Sequence, residues 1–324
     1  MIENMQGQNL LNSAGHYVDA RKNKLIHYSK YWSYLNINQA NLWEGMLLPE
    51  LSNILLHGTD NVIVESTGHT YIFLVERAGW ESGFFKRNIY KIKYVLYGEA
   101  TVSLLSKAIA VALDVLKERG CEYCYLEIPS EDNLLIQAYC ESSFKVVETR
   151  LYYYNNKLQD FPHGERSGVR MAETQDIPSI RKASMLMRNE YDRVHSEVFF
   201  DKELADQYLA AFAEECVKGF ADYTIVPNEG GLPAEAFFAT NYNQKDWDKT
   251  GAKIGQFALA AVLASTCRGW YGKLLSEICI HMKGKGIDGV ITITQSTNKA
   301  VIHTYEKFGF KYGHTSLILS KIII

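Results

Sequence analysis

Residues 257–286 read FALAAVLASTCRGWYGKLLSEICIHMKGKG, and this stretch decides the fold of the second half of the chain. An apolar, strand-like run leads into a short turn that holds Arg268, Gly269 and Gly272. The residues that follow place apolar side chains on one face at helical spacing. These are Leu274, Leu275, Ile278, Cys279 and Met282. The stretch therefore predicts a strand, a glycine-bearing turn and the N-terminus of a helix.

Such a turn is suited to an anionic ligand. Glycine lets the backbone approach a ligand closely, and the free N–H groups of the first helical turn lie at the positive end of the helix dipole. A pyrophosphate binds well there, and Arg268 and Lys273 would supply local positive charge. On this stretch alone an alternative stays open, in which Gly269 and Gly272 only permit a tight strand-to-helix turn.

The chain divides into two similar units. A length of 324 residues suggests two domains. A linker is expected where Pro162 and Gly164 interrupt the hydrophobic pattern. The expected organisation is a helical extension over residues 1–60, a first unit over residues 61–157, the linker over residues 158–167 and a second unit over residues 168–324.

In both units the strand-like segments run consecutively before strands and helices alternate. That order favours an α+β fold with a mixed sheet over a doubly wound parallel sheet. The first unit closes with residues 144–155, which predict two strands, and the extension predicts helix over residues 35–56. We interpret the extension as packing or assembly material.

Composition excludes several classes of protein. Hydrophobic residues make up 47% of the chain and the formal net charge is -3, which is ordinary for a soluble globular protein. This charge provides no general field for nucleic acid or an anionic membrane. No apolar run approaches the ~20 residues of a membrane span, and the N-terminus lacks a signal-peptide pattern, so a cytoplasmic protein is expected.

The cysteines do not predict a metal site. Cys121 and Cys124 are close enough to form half of a zinc site, but they lie in a strand-like segment. No second Cys or His pair has matching spacing. We expect free thiols and no metal.

The residues after the next strand carry a specific resemblance. Residues 296–310 read STNKAVIHTYEKFGF, and Asn298, Tyr305, Lys307, Gly309 and Phe310 fall in step with the N-x-x-A-x-x-x-Y-x-K-x-G-F signature of the GNAT superfamily of N-acetyltransferases. Upstream, TCRGWYGKLL aligns without gaps with the coenzyme-A loop of that superfamily, written Q/R-x-x-G-x-G/A. The two motifs occur in the right order, separated by one helix and one strand.

This resemblance implies a fold, a co-substrate and a set of binding residues. It implies tandem units, each a mixed, mostly antiparallel sheet flanked by helices, with acetyl-CoA bound by the second unit. The coenzyme-A site would comprise Leu263, Ala264, Arg268, Gly269, Trp270, Tyr271, Gly272, Lys273 and Asn298. The first unit fits a degenerate role, because its helix after Tyr97 begins GEATVSLL with no glycine cradle.

The resemblance also assigns roles in the reaction. Tyr305 matches the general acid that protonates the coenzyme-A sulfur, and Asn298 matches a helix cap that can touch the pantetheine. A backbone N–H near Leu263 or Ala264 would hold the oxyanion. Because a phenol has a pKa near ~10 and a thiol near ~8.5, the site must favour this proton transfer through position or hydrogen bonding.

Three positions depart from the signatures. Thr266 stands where Gln or Arg is usual, Tyr271 occupies the second small-residue position, and Val301 replaces the alanine. Tyr271 could crowd the diphosphate or point away from it.

A narrower resemblance suggests the acceptor. WESGFFKRNIYKI, SSFKVVETR and the segment over residues 189–226 are similar to the TDP-fucosamine acetyltransferase group, whose members acetylate a 4-amino sugar on a nucleotide. In that group the stretch matching Arg193 and His195 lies near the amino-sugar pocket. The resemblance therefore implies that Arg193 holds a nucleotide phosphate and His195 relays a proton from the amine.

Other functions stay open at this point. The acceptor could be another small amine, since one fold serves many chemistries. A non-catalytic GNAT-like binding or scaffold protein is the second class. A phosphate-loop NTPase is excluded because no G-x-x-x-x-G-K-[ST] sequence occurs. The oligomeric state is open, and the sequence is compatible with a homodimer.

Overall fold

The computed structural model describes residues 7–162 and 165–323. The first six residues of the expected extension, and residues 163–164 of the expected linker, lie outside this description.

Helices occur throughout the described chain. In chain order they are α1 (Gly7–Leu25), α2 (Gln39–Leu42), α3 (Leu48–His57), α4 (Gly79–Phe85), α5 (Val102–Glu118), α6 (Asn133–Glu141), α7 (Ile177–Leu186), α8 (Arg193–Ser196), α9 (Lys202–Glu215), α10 (Gln244–Thr250), α11 (Ala264–Cys267), α12 (Trp270–Gly284) and α13 (Lys299–Lys307). Short π-helical segments follow α2 (Trp43–Leu47) and α9 (Cys216–Phe220).

The strands, in chain order, are β1 (Val62–Ser66), β2 (His69–Arg77), β3 (Ile89–Tyr97), β4 (Tyr123–Pro129), β5 (Lys145–Asn155), β6 (Val169–Met171), β7 (Tyr223–Pro227), β8 (Ala236–Asn241), β9 (Ile254–Val262), β10 (Gly289–Gln295) and β11 (Lys311–Ile322). Where the sequence suggested two strands over residues 144–155, β5 is continuous. No Gly or Pro interrupts KVVETRLYYYN, and its β-branched and aromatic residues favour extended backbone.

The chain forms two compact units whose boundaries differ from those expected from the sequence. Among the described residues, unit 1 comprises residues 7–33, 38–150 and 314–323, and unit 2 comprises residues 34–37, 151–162 and 165–313. The division falls within β5, upstream of the expected linker. The last strand belongs to unit 1, because β11 pairs with β4 from Ser316↔Pro129 to Ile322↔Tyr123.

Unit 1 contains a sheet with the strand order β1-β2-β3-β4-β11. The β3–β4 pair is parallel and the other pairs are antiparallel. The apolar faces of α5 and α6 pack on this sheet, with Leu105, Ile109 and Leu116 among the buried residues. The N-terminal extension belongs to the same unit, and α1 packs against β3.

Helix α1 lies in the extension that was expected to be helical, but the sequence located helix there only over residues 35–56. Its buried residues Leu10, Ala14, Val18, Arg21 and Leu25 recur at helical spacing, but small and polar residues dilute the pattern. The helix expected over residues 35–56 is present as α2, the π-helical segment after it, and α3.

Unit 2 contains a sheet with the strand order β5-β10-β9-β8-β7-β6. The β9–β10 pair is parallel, whereas β9–β8, β8–β7 and β7–β6 are antiparallel. Helix α12 packs its apolar face, with Leu274, Leu275 and Ile278, into the core of this unit. The predicted fold class, tandem units with mixed, mostly antiparallel sheets flanked by helices, is confirmed.

Among the described residues, no helix is both long and apolar enough to cross a membrane. No group of three or more His, Cys, Asp or Glu side chains in residues 7–162 and 165–323 is arranged to hold a metal ion. All six cysteines are free.

Candidate active site

The parallel strands β9 and β10 separate to form a cleft. Their pairing runs from Gly289↔Ile254 to Ile291↔Gln256 and then stops, although β9 continues to Val262 and β10 to Gln295. The pairing between β9 and β8 also skips Ala258, as a β-bulge does. Beyond Gln256, the β9 edge that faces β10 therefore lacks that strand as a hydrogen-bonding partner.

A cavity of about 210 Å³ lies in this cleft. Residues of β9 and β10 form two of its walls, and β8, α12 and α13 contribute the others. The lining residues are Phe238, Phe257, Ala258, Leu259, Ala260, Tyr271, Thr292, Ile293, Thr294, Gln295, Asn298, Val301 and Tyr305. The structure thus brings three sequence-predicted site residues, Tyr271, Asn298 and Tyr305, into one cavity whose lining carries no charged side chain.

Tyr305 lies on α13 with its side chain buried at 4% exposure. Asn298 caps this helix, since its side chain accepts a hydrogen bond from the N–H of Val301. The Tyr305 hydroxyl lies 2.9 Å from Thr292 Oγ1 and accepts a hydrogen bond from the Tyr271 hydroxyl at 3.2 Å. Burial raises the pKa of Tyr305, and these two hydrogen bonds oppose that rise.

Tyr271 is turned into the cavity. Its ring lies 5.8 Å from that of Phe238 and 6.5 Å from that of Tyr305, between ring centroids. Burial, followed by the neighbouring Tyr305, raises the pKa of Tyr271 well above its usual value, so it stays protonated and can donate. Of the two orientations open from the sequence, the structure shows the one that points away from the helix N-terminus.

The N-terminus of α12 leaves backbone donors available. Gly269 precedes the helix with φ +84, and no side chain caps the first turn. This φ is the left-handed region, where a residue with a Cβ is strained, which explains why glycine stands here. A one-turn helix, α11, which ends at Cys267, lies between β9 and the expected turn at Arg268 and Gly269, and Gly272 lies within α12 instead of in the turn. Thr266, in α11, donates to Glu235 Oε2 at 2.7 Å.

The other loop residues surround this helix start. Arg268 and Lys273 are exposed. Lys273 Nζ lies 4.5 Å from the ring centroid of the buried Trp270 and 3.5 Å from Glu229 Oε1. The ring of Phe308 lies 3.5 Å from where a Cβ on Gly272 would sit, which is an ordinary contact distance, so a methyl group would fit there.

The structure does not support Leu263 as the oxyanion donor. Strand β9 ends at Val262, and the Leu263 N–H donates to the Glu235 carbonyl at 2.9 Å. Neither Leu263 nor Ala264 lines the cavity, because the chain turns into α11 at this point. The β9 residues that do line it are residues 257–260.

Arg193 and His195 lie on α8 and do not line the cavity. Arg193 is buried, with its guanidinium carbon 5.6 Å from the ring centroid of Phe200. His195 Nδ1 lies 2.8 Å from Asp192 Oδ1, and Nε2 lies 3.2 Å from Asp206 Oδ1. Burial lowers the pKa of His195, but the two carboxylates outweigh burial and raise it above its usual value.

Sequence reasoning missed Thr292. Its only signal was the alternation of hydroxyl and isoleucine residues in GVITITQ, which places one set of side chains on each face of the strand. Which face meets the helix depends on tertiary packing, and here Thr292 faces Tyr305.

Known structures share this architecture. The chain is similar to a GCN5-related N-acetyltransferase from Sphaerobacter thermophilus, with a TM-score of 0.59 and 11% identity over 100% of this chain and 95% of that chain. It is also similar to a GCN5-related glucosamine N-acetyltransferase region in a fungal multi-domain β-N-acetylglucosaminidase. That TM-score is 0.59 and the identity 11%, over 99% of this chain and 38% of that one.

A functionally unknown conserved protein from Staphylococcus epidermidis gives a TM-score of 0.50 and 12% identity, over 81% of this chain and 93% of that chain. No protein-family model matches the sequence, and no curated protein matches it. At these identities the similarity is one of fold. The chain has the fold of the GCN5-related N-acetyltransferases.

Proposed function

We propose that unit 2 transfers an acetyl group from acetyl-CoA to a primary amine. The observation that carries the proposal is the placement of a buried tyrosine hydroxyl in a cleft between separated parallel strands. Tyr305 lies in that cleft with Thr292 and Tyr271 as hydrogen-bonding partners. The fold supports the same activity.

The residues present fit acetyl-CoA as a substrate. The β10-facing edge of β9 can bind the extended pantetheine amide chain in the way a sheet edge binds an added strand. The first turn of α12, without a side-chain cap and next to the exposed Arg268, suits the diphosphate. Asn298 both caps α13 and lines the cavity, so its side chain can also contact the pantetheine.

Each chemical requirement of acyl transfer has a candidate in the cavity. Tyr305 would donate its proton to the departing thiolate sulfur. We place the oxyanion donor among the backbone N–H groups of residues 257–260, which line the cavity. The apolar rings of Phe238 and Phe257 limit access of water to the thioester.

For the acceptor we propose the amine of a nucleotide-linked amino sugar. The proposal rests on the sequence resemblance to the TDP-fucosamine acetyltransferase group. The relay role of His195 is not part of this proposal, because both of its ring nitrogens face carboxylates, those of Asp192 and Asp206, and the proton of the amine is assigned to solvent. Because Arg193 is buried against Phe200, the phosphate of the acceptor would need a different cation.

The test is a thiol-release assay with acetyl-CoA and a panel of amines. The panel contains TDP-4-amino-4,6-dideoxygalactose, glucosamine and an aliphatic diamine. Release that depends on the nucleotide-linked sugar is the expected result. Release with glucosamine or the diamine alone would retain acetyl transfer and reject the nucleotide sugar. Absence of release with every amine, at enzyme concentrations that allow single turnovers, would favour a non-catalytic binding protein.

A further inference from the structure

The proton transfer assigned to Tyr305 is unfavourable without help. A phenol near pKa ~10 is a weaker acid than a thiol near ~8.5, so the thiolate does not readily take the phenol's proton in water. Burial of Tyr305 disfavours the phenolate further. The site must therefore contain groups that stabilise the phenolate oxygen.

Two hydroxyl groups meet that oxygen. Tyr271 donates to it at 3.2 Å, and Thr292 Oγ1 lies 2.9 Å away. Because Tyr271 is a donor in this arrangement, the proton of Tyr305 is directed elsewhere, toward Thr292 or toward the cavity. A hydrogen bond to an ionised oxygen is stronger than one to a neutral oxygen, so both contacts stabilise the phenolate more than the phenol.

The other titratable groups that face Tyr305 do not replace Tyr271. Cys279, also on α12, is fully buried, and burial raises its thiol pKa far above the usual value. Tyr153, on β5, has its ring centroid 5.9 Å from that of Tyr305, but its hydroxyl donates to Glu306 Oε1 at 3.1 Å. Phe257 and Phe310 cover the remaining sides of the ring and carry no polar atoms.

We infer that Tyr271 is a positioning residue for the acetyl transfer, holding the Tyr305 phenol in the cleft and stabilising its phenolate through the hydroxyl-to-hydroxyl hydrogen bond. The inference deepens the proposed function and rests on it. It also gives a role to the departure from the coenzyme-A loop signature, in which a small residue usually stands at this position. A small side chain there could not reach Tyr305.

The reaction balances with this assignment. The C–S bond of the thioester breaks and the C–N bond of the amide forms. The coenzyme-A sulfur takes the Tyr305 proton, leaving a phenolate that accepts hydrogen bonds from Tyr271 and Thr292. The proton lost by the amine nitrogen, passed on through solvent, restores the Tyr305 phenol.

The first test measures the ionisation of Tyr305 and needs no acceptor. Fluorotyrosine incorporated at position 305 of the full chain ionises at lower pH than tyrosine, and its ¹⁹F resonance reports that single residue. Tyr271→Phe keeps the ring and removes the donor, so the titration midpoint is expected to rise by about one pH unit, a tenfold change in the ionisation constant. Tyr153→Phe is the matched control and is expected to leave the midpoint in place. An unchanged or lower midpoint in Tyr271→Phe would overturn the inference.

The second test measures kinetics with acetyl-CoA and the best amine of the panel above. Tyr271→Phe is expected to lower kcat about tenfold while the KM for acetyl-CoA changes less than twofold, because the lost interaction forms with the phenolate. Tyr153→Phe should retain the wild-type kcat. Equal kcat values for Tyr271→Phe and wild type would reject the inference while acetyl transfer stood. If the wild type transferred no acetyl group, the proposed function would fail with the role of Tyr271 in it, and the ¹⁹F titration would still decide the tyrosine contact.

Discussion

The two units contain the same cleft, and it is filled in one unit and open in the other. In unit 1 the parallel β3–β4 pairing stops at Ile92↔Leu126 although β3 continues to Tyr97, just as the β9–β10 pairing stops in unit 2. A β-bulge lies beside the point of separation in both units, between Leu74 and Val75 and between Ala239 and Thr240. In each unit a helix begins just after the second strand of the parallel pair: α6 follows β4, and α13 follows β10.

These helices match position by position. In unit 1, Asp132 precedes the helix, Tyr139 lies near its end, and Ser143 and Phe144 follow. The same spacing in unit 2 places Asn298, Tyr305, Gly309 and Phe310. Ser143 and Gly309 both adopt positive φ, +66 and +79. Similar backbone hydrogen bonds close the two helices, at 3.0 Å from Phe144 N–H to the Tyr139 carbonyl and at 2.9 Å from Phe310 N–H to the Tyr305 carbonyl.

The difference lies in what occupies the cleft. In unit 1, Arg21 from α1 forms hydrogen bonds to both carboxylate oxygens of Asp132, at 3.2 and 2.6 Å, and another to the hydroxyl of Tyr97. Tyr28 also donates to Asp132 at 2.7 Å. In addition, Thr101 caps α5 by accepting from the Leu104 N–H, whereas α12 begins without a side-chain cap. The same backbone arrangement therefore holds a stabilising ion pair in unit 1 and forms an open cavity in unit 2.

The largest expected effect concerns the filled cleft. Arg21→Ala should lower the free energy of unfolding by about 3–5 kcal/mol, because Asp132, at 1% exposure, would remain buried without its cation. Urea unfolding of the full chain measures this loss. The double variant Arg21→Met with Asp132→Asn should lose less, since no unpaired charge remains. Wild-type stability in Arg21→Ala would show that this pair does not hold α1 in the cleft.

The next effect distinguishes the two matched tyrosines. Tyr305→Phe should lower kcat by about 100-fold or more with little change in the KM for acetyl-CoA, as expected for loss of a general acid. Tyr139→Phe is the control in unit 1, because the Tyr139 hydroxyl is buried and makes no hydrogen bond. Its activity should equal that of the wild type. Steady-state thiol release compares the two, and equal rates for Tyr305→Phe and wild type would refute the general-acid assignment.

A smaller effect is expected at the start of α12. Gly269→Ala should weaken acetyl-CoA binding about tenfold, because a Cβ at φ +84 costs about 1–2 kcal/mol and shifts the first helical turn. Gly286, which follows the same helix with φ +71, provides the control. Gly286→Ala imposes a similar strain away from the cleft and should bind normally. Equal affinities for both variants would argue against a diphosphate at this helix start.

The smallest effect belongs to a segment that only unit 2 has. Unit 1 joins β1 to β2 by a tight turn at Thr67 and Gly68, whereas α7, α8 and α9 lie between β6 and β7. Asp192 and Asp206 outweigh burial and raise the pKa of His195 in the folded state, so its stabilising charge is present below the unfolded pKa of ~6.5 and is lost as pH rises through the folded pKa. The stability difference between wild type and His195→Gln, measured by urea unfolding, should therefore shrink with rising pH. A difference that grows with pH would contradict this.

Local signals made much of unit 2 predictable. The glycine before α12, the cap at Asn298 and the apolar face of α12 all act within a few residues, so the sequence alone indicates them. That these features lie in one site with Tyr305 was implied by the resemblance to the GNAT superfamily. The inward orientation of Tyr271, its hydrogen bond to Tyr305 and the contact of Tyr305 with Thr292 depend on packing between separate elements, which no local pattern contains.

The remaining differences between the sequence-based predictions and the structure arise from contacts between residues that are far apart in the chain. Strand β11 belongs to unit 1 because it pairs with β4. The sequence pattern of a strand does not indicate which other strand it pairs with. In the same way, the spacing in α1 can indicate a helix but not that Arg21 would reach Asp132. The Leu263 N–H that was expected to hold the oxyanion donates to the Glu235 carbonyl, because β9 ends one residue earlier and the chain turns toward α11.

The central claim is that the cleft of unit 1 is filled and the cleft of unit 2 is open. Calorimetric titration of the full chain with acetyl-CoA tests it most directly. Binding with micromolar affinity and a stoichiometry of one molecule per chain is expected, and Gly269→Ala should weaken that single event. Two molecules per chain would contradict a filled cleft in unit 1. No binding would contradict the open cleft of unit 2 as an acetyl-CoA site.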